Sequence, residues 1–563
     1  DLIAPVTPVL TTAATDNPTL TLNSDTIDGS ARNSLQTGDT LRDFSTADDD
    51  VLNANVTVSG AAPTLQNIET VNITGEFLTT GLDLSNTTGT TTLNLSTLLV
   101  GGTATVLVAS AAAAANIVIG DNVTSTFVVS DAAGTGAAGV NIDAGASTFV
   151  SIQDLAPVNG ADDVYSVTLA ADADFTSDLI DAGDSLTLIL GGDVTTDLGA
   201  FVGMGTLNVS SAVDATMTEA TGLADDTDFT GAGDIILSTT GAIADAVTSV
   251  TSTGAGSLAL TLTTVTTGND VSTVAADVVN YADATAGAVA LTVSINSTLN
   301  MVETAADTTI DLDAAGTLIM TVSEDQTLFT TGATVTSLTM SATPDEADED
   351  IIITTLALNA ATESVAIIGA GDLEITALTN NNDDVISAAS MTGDLTIGSV
   401  LNDTTIFLGT GSNSVTVGNS GAAYAIIGNT GIDIIDLAGA GASEARTAAG
   451  NDVITLSAAG VTTLDAGAGD DTIITAAGAQ SITLGAGIDS VFTISGNDGY
   501  TIADFVAGTD TLNFSGNALG DMDLTNTVAV AGVYDFDANG NFDVTLTGST
   551  ATDLSDSIIL GAQ

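Results

Sequence analysis

Four short phrases of glycine and aspartate carry the clearest chemical potential in this chain: Gly428-Asn-Thr-Gly431-Ile-Asp433, Gly450-Asn-Asp452, Gly467-Ala-Gly469-Asp-Asp471 and Gly485-Ala-Gly487-Ile-Asp489. Each is followed two residues after its aspartate by an aliphatic side chain, Ile435, Ile454, Ile473 or Val491. Glycine lets a loop take positive φ and turn its carbonyl oxygens inward, and aspartate adds carboxylate oxygens. Together they offer an all-oxygen cage suited to a hard divalent cation, calcium above all. The candidate metal-site residues are therefore Gly428, Gly431, Asp433, Gly450, Asp452, Gly467, Gly469, Asp471, Gly485, Gly487 and Asp489.

Spacing indicates which elements must position these residues. The aspartates at 433, 452, 471 and 489 are separated by 19, 19 and 18 residues, and Asn413, in Gly409-Thr-Gly411-Ser-Asn413-Ser-Val415, lies 20 before the first. One coil of a parallel β-roll contains two nine-residue half-turns, so a step near 18 returns to the same edge one coil later. The intervening half-turns place Ser443, Thr462 and Gln480 where the opposite edge would carry its aspartate. Calcium-type loops therefore line one edge only, with Ile435, Ile454, Ile473 and Val491 pointing inward as a core ladder. Unpaired carboxylates stacked about 4.8 Å apart repel by about 1 kcal/mol in water and by several at an effective dielectric near 20. A metal ion between coils would remove that repulsion.

The rest of the composition narrows the function. The chain has 563 residues with 44% hydrophobic content, drawn from Ala, Val, Leu and Ile, with no Trp and six Pro. It is rich in β-branched residues and in Gly, Asn and Asp turns, which favours an all-β protein of many short strands. Against 71 acidic residues stand Arg32, Arg42 and Arg446, with no Lys or His, for a net charge of -68. Such a chain repels nucleic acid and anionic lipid, and its natural partners are cations. A solvated halophilic or marine surface would account for the charge as well, and the two readings are compatible. Cys is absent, so neither disulfides nor thiolate metal sites are available. No apolar run reaches the roughly 20 residues of a transmembrane segment.

Catalytic constellations are poorly supplied. Without His, Cys or Lys there is no Ser-His-Asp triad, thiol nucleophile, Schiff base or histidine-bound zinc. Gly134-Thr-Gly136-Ala-Ala-Gly139 matches GxGxxG, but no helical pattern follows and chance suffices among 58 glycines. Paired carboxylates could serve a glycosidase, yet no cluster combines acids with aromatic sugar platforms. The expectation is a protein that is not an enzyme. With so few basic residues it also offers trypsin-like proteases almost no cleavage sites.

From Asp48 to about residue 400 alternating strands such as Leu186-Thr-Leu-Ile-Leu190 and Leu258-Ala-Leu-Thr-Leu262 recur every 15 to 25 residues or so. A string of β-sandwich domains would look similar; stacked solenoid turns are preferred because aromatic core residues are scarce. Acidic knots at Asp48-Asp49-Asp50, Asp162-Asp163, Asp225-Asp226 with Asp228, Asp345 to Asp350 and Asp383-Asp384 fall where turns are expected. They read first as solvated loop tips, with calcium bridging as the alternative.

Three segments carry a family resemblance. Leu65-Gln-Asn-Ile68-Glu69-Thr-Val71-Asn72-Ile73-Thr74-Gly75 resembles the IETVNVTG signature of RTX-bearing bacterial surface-layer (S-layer) proteins, and Met204 to Ser210 is a weaker echo. In it Val71 and Ile73 share one face of a strand, and Asn72 is available for a side-chain ladder between turns. Tyr500 to Phe514 is similar to the segment that follows RTX repeats in proteins exported by type I secretion, and Leu554 to Gln563 to the uncleaved signal of such proteins. Between them Asp535-Phe-Asp537-Ala-Asn539-Gly540 begins like a calcium loop, but Leu546 replaces the closing Glu, so a hairpin turn is expected there.

The expected fold is all-β, a parallel β-solenoid or β-roll with RTX-type calcium repeats and room for additional β-sandwich-like domains. Its expected parts are an extended leading segment or linker at 1–45, a β-rich solenoid-like assembly region at 46–400, the calcium-binding β-roll at 401–495, and a C-terminal cap with secretion signal at 496–563. The opening at Asp1, without Met and with Pro5, Pro8 and Pro18, reads as a linker after a segment removed or not included. The resemblance implies a secreted, extracellular, cell-surface protein that self-assembles with calcium into an S-layer or a related sheet or filament. Its partners would be copies of itself and, through a region not identifiable here, a cell-surface polysaccharide. The alternative is an RTX adhesin or biofilm-matrix protein that binds carbohydrate or another surface.

Overall fold

The computed structural model describes the chain except for residues 1–3, 57–60, 75–81, 85, 97–105, 110–115, 122–125, 131–139, 147, 155–163, 179–184, 199–205, 221–226, 246–249, 266–267, 283–287, 303–304, 345–349, 382, 419–420, 459, 461, 494–498, 515–532, 535–543, 547–556 and 561–563. Outside the described residues lie the GxGxxG match at 134–139, the acidic knots at 162–163, 225–226 and 345–349, the calcium-like loop at 535–543, and most of the terminal signal. The described residues are strand and turn, with one short helical segment at Gly241–Asp245.

The chain forms a parallel β-solenoid, divided between a unit of residues 1–265 with 269–279 and a unit of 266–268 with 280–563. In both units most strands pair in parallel with the next strand but one in sequence, and a few with the third strand on. A parallel pair needs a crossover, and here the crossover is the intervening strand, which belongs to the other sheet of the coil.

In the N-terminal unit one sheet contains Val140–Ala144, Val164–Leu169, Ser185–Leu190 and Thr206–Ser211 in unbroken register. The other contains Phe149–Asp154, Ala173–Asp178, Val194–Asp197, Ala215–Glu219, Ile235–Thr239 and Leu258–Leu262. The alternation of the sequence dictates the packing. In Ser185–Leu190 the side chains of Leu186, Leu188 and Leu190 are buried while Thr187 and Ile189 face outward. Their aligned partners Tyr165, Val167 and Leu169 on one side, and Leu207 and Val209 on the other, are buried as well. The core is thus a set of aliphatic columns along the solenoid, which needs few large aromatic rings.

The phrase that resembles surface-layer proteins forms such a strand. Thr70–Thr74 pairs with Val51–Asn55 and Thr92–Ser96, and Ile68, Val71 and Ile73 are fully buried. Asn72 donates its amide to Asn53 Oδ1 at 2.8 Å and accepts from Asn94 Nδ2 at 2.6 Å, a column of side-chain amides running across three coils. Both bonds are half-buried, so Asn72→Ala is expected to cost about 1–2 kcal/mol, measurable by urea unfolding.

The C-terminal unit is built alike but tightens along its length. Strands of seven or eight residues such as Val335–Ala342, Leu373–Thr379 and Asp384–Met391 give way to strands of three or four such as Asp433–Asp436, Val453–Thr455 and Thr472–Ile474. Both ladders continue through Tyr500–Ile502 and Thr511–Phe514, where Tyr500, Phe505 and Phe514 are buried. Among the described residues Val533–Tyr534 with Val544–Leu546 is the antiparallel pairing.

One expectation needs correction. The acidic knots are not uniformly solvated: Asp49 and Asp383 are exposed, but Asp50 and Asp384 are buried. Each buried acid lies at a strand start, Asp384 opening Asp384–Met391 and Asp50 directly preceding Val51–Asn55, so the coil path draws it under its neighbours.

Candidate metal centre

The tightened coils bring the sequence-predicted aspartates into one column. Register aligns Asn413 with Asp433, and the pairs Ile434 with Val453, Val453 with Thr472, and Thr472 with Ser490 carry the alignment through Asp452, Asp471 and Asp489. Ile435, Ile454, Ile473 and Val491 align beside them and are buried, as expected of a core ladder. On the opposite edge Ser443, Thr462 and Gln480 align in one row and are likewise buried.

Every aspartate of the column is buried, and every one binds its neighbour in the same way. The backbone N–H of Asp433 donates to Asp452 Oδ1 at 2.7 Å, that of Asp452 to Asp471 Oδ1 at 2.9 Å, and that of Asp471 to Asp489 Oδ1 at 2.9 Å. Asp489 in turn donates to Asp510 Oδ1 at 3.3 Å. Oδ1 of Asp452, Asp471, Asp489 and Asp510 therefore completes the backbone of the preceding coil, while Oδ1 of Asp433 accepts the Asn413 side-chain amide. The other oxygen, Oδ2 of Asp433, Asp452, Asp471 and Asp489, is buried without a hydrogen-bond partner. A buried, unsatisfied carboxylate oxygen is costly, and a proton or a cation are the two ways to satisfy it.

Protonation is correspondingly favoured in the metal-free chain. Burial pushes Asp433 up to about 6, against the opposing bond from Asn413. Burial also pushes Asp471 up to about 7 and Asp489 to about 6, with the amide of the preceding coil pulling down and neighbouring carboxylates pushing up. Asp452 and Asp510 are raised, again chiefly by burial.

The glycines are placed by crowding as much as by conformation. A Cβ on Gly431, Gly450, Gly469 or Gly487 would fall within 3.0 Å of the carbonyl oxygen of the aligned glycine one coil earlier. Gly467 and Gly485 form a parallel column against the carbonyls of Ala448 and Gly467. At Gly428 the space a Cβ would fill is occupied by Asp433 Oδ2 and the carbonyl of Thr447, so carboxylate and carbonyl oxygens converge there.

Asn413 marks what the column can hold. Its amide nitrogen lies 2.9 Å from the Gly411 carbonyl, 3.3 Å from the Gly409 carbonyl and 2.8 Å from Asp433 Oδ1. Two loop carbonyls and the carboxylate one coil on thus converge on a single positively polarised group. The same glycine spacing precedes Asp471 (Gly467, Gly469) and Asp489 (Gly485, Gly487), whereas Asn429 and Ala448 take the first position before Asp433 and Asp452. Where Asn is replaced by Asp, the set becomes all oxygen, the donor type of calcium.

Sequence spacing missed two acids of the roll. Asp510 extends the column 21 residues beyond Asp489, and Asp504 accepts the N–H groups of Leu484 and Gly485, both at 2.8 Å. The N-terminal unit has a column of its own: Asp25 N–H donates to Asp50 Oδ1 at 2.7 Å and Asp50 N–H to Glu69 Oε2 at 2.8 Å. For Asp25, Asp50, Glu69 and Asp510 the available signal was positional, an acid immediately before a strand.

No protein-family model matches the chain, and no curated protein matches it.

Proposed function

We propose that the chain is a structural, extracellular protein whose coils are tied by calcium and which assembles with copies of itself into a cell-surface layer or a related sheet or filament. The observation that carries this reading is the column of buried, unpartnered Oδ2 oxygens on Asp433, Asp452, Asp471 and Asp489. Those oxygens, with the carbonyls of Gly467, Gly469, Gly485 and Gly487, would hold the ion. Bound calcium supplies the positive charge that the column lacks. The protein's own contribution is to hold each carboxylate through Oδ1, leaving Oδ2 oriented and dry at no further ordering cost.

Net charge supports the assembly half of the reading. At -68, copies of the chain repel one another, and the three arginines cannot offset that at a shared face. Divalent cations lower the repulsion, so association should require them. The surface-layer resemblance at 65–75 points the same way. The test is negative-stain imaging of the purified chain with a chelator and then with calcium at about millimolar concentration. Ordered sheets or filaments are expected only with calcium, and chains that remain monomeric in it would sink the proposal.

A further inference from the structure

We infer that Asp43, Asp48 and Asp50 form a separate calcium site, in the N-terminal unit and outside the glycine–aspartate repeats. The inference stands on its own geometry and does not rest on the C-terminal column.

The three acids belong to the loop between the strands Thr40–Arg42 and Val51–Asn55. Both ends of this loop are fixed. Asp43 donates its N–H to the Gln66 carbonyl at 3.0 Å and accepts at its own carbonyl from Asn67 Nδ2 at 3.1 Å. Asp50 is held between the Asp25 N–H and Glu69 Oε2. These bonds use one side-chain oxygen of Asp50, and the Ser45 N–H uses Oδ2 of Asp43.

Four carboxylate oxygens remain: Asp43 Oδ1, Asp50 Oδ2 and both oxygens of Asp48. All four are buried and none has a hydrogen-bond partner, while the side chains of Asp43 and Asp50 are only 1% and 0% exposed. One oxygen from each acid lies within 4.8 Å of the others. Calcium binds oxygen at about 2.3–2.6 Å, so oxygens sharing one ion stand at most about 5 Å apart, and the trio falls inside that limit. Among the described residues no other three acids converge so closely.

The charges that act on Asp50 are all negative, from Asp43, Asp48 and Asp25, and Asp48 and Asp43 act on Glu69 in the same sense. A solvated loop tip would turn these oxygens outward. Here the oxygens are buried and one from each acid converges with the other two, so a hard divalent cation satisfies them together. Ligand type selects calcium over softer metals, because every donor is a carboxylate oxygen.

The test counts calcium bound per chain by equilibrium dialysis of the full, chelator-stripped protein. Asp48→Asn is the informative variant, because its carboxylate makes no hydrogen bond and its loss breaks none. It is expected to bind one ion fewer than wild type while keeping the ions that Asp471→Asn loses; Asp43→Asn should show the same loss. In chelator, Asp48→Asn should melt at or above the wild-type temperature, since a buried unpaired charge has been removed. An unchanged calcium count in Asp48→Asn and Asp43→Asn overturns the inference, and leaves the reading of the C-terminal column to stand or fall on Asp471→Asn. A lower melting temperature of Asp48→Asn in chelator also overturns it, because the carboxylate would then be a structural acceptor.

Discussion

Stripped of calcium, the protein is expected to become more stable as the pH is lowered from about 7.5 to about 5, the reverse of the usual behaviour of paired acids. The sign follows from the column. Asp433 and Asp489 are pushed up to about 6, and Asp471 and Asp50 to about 7, in each case chiefly by burial. In the unfolded chain the same groups titrate near about 3.9. Between these values the folded state binds more protons than the unfolded one. The stability these groups contribute is therefore fully present below about pH 4 and is lost as pH rises through 6 and 7. On the proposed reading calcium would compete with those protons for the same oxygens, because its binding requires the ionised form. With calcium present the trend should invert, with greatest stability near neutral pH. Each site held at a hundred times its dissociation constant adds about 2.7 kcal/mol, so a few sites shift the melting point strongly. Thermal melts at both pH values, with calcium and with excess EDTA, measure all four corners. A melting curve unchanged by EDTA would show that no ion is bound, and a metal-free chain most stable at neutral pH would show that the carboxylates are not buried as described.

Replacing Gly485 by Ala should be the most damaging single methyl addition in the roll. Gly485 has φ +97°, and its Cβ would overlap the carbonyl of Gly467, which is held by the next amide, Ala486 N–H, at 2.8 Å. Backbone strain and overpacking add to on the order of 3 kcal/mol. Gly478 isolates the two effects. Its φ is +114°, but the nearest atom to its Cβ is 3.8 Å away, so Gly478→Ala bears the strain alone, about 1 kcal/mol. Urea unfolding of both variants gives the comparison; equal losses would mean that coil-to-coil crowding does not set the glycine pattern.

The roll was legible in sequence because its coils are short and nearly constant. Steps of 18 and 19 residues align Asp452, Asp471 and Asp489, and with them Ile454, Ile473 and Val491, so one periodicity revealed both the acid column and its core. The opposite row, Ser443, Thr462 and Gln480, followed from the same half-step. Before residue 400 the strands were visible from alternation but their register was not, because coil length varies: Asp25 and Asp50 are 25 residues apart, Asp50 and Glu69 only 19. An irregular step hides a column. It also disguised Asp48 and Asp50 as a loop tip, since nothing in the triplet of aspartates tells which one a strand start will bury. Asp510 was obscured in the same way, by a longer final step carrying Phe505 and Gly508.

The bond from each aspartate to the N–H of the preceding coil makes the coils of the roll exchangeable parts. Removing residues 453–471 would join Asp452 to Thr472, and its N–H would then meet Asp489 Oδ1 as that of Asp471 does now. Asp433 would keep Asp452 as its acceptor. A whole coil can thus be lost, or by the same logic duplicated, with the aspartate ladder intact, although this deletion would also remove Ser457, which donates to the Ala440 carbonyl and accepts from Gln480 Nε2. Length in this part of the molecule is therefore adjustable in steps of one coil as far as the aspartate ladder is concerned, since each junction would repeat the same bond from N–H to Oδ1.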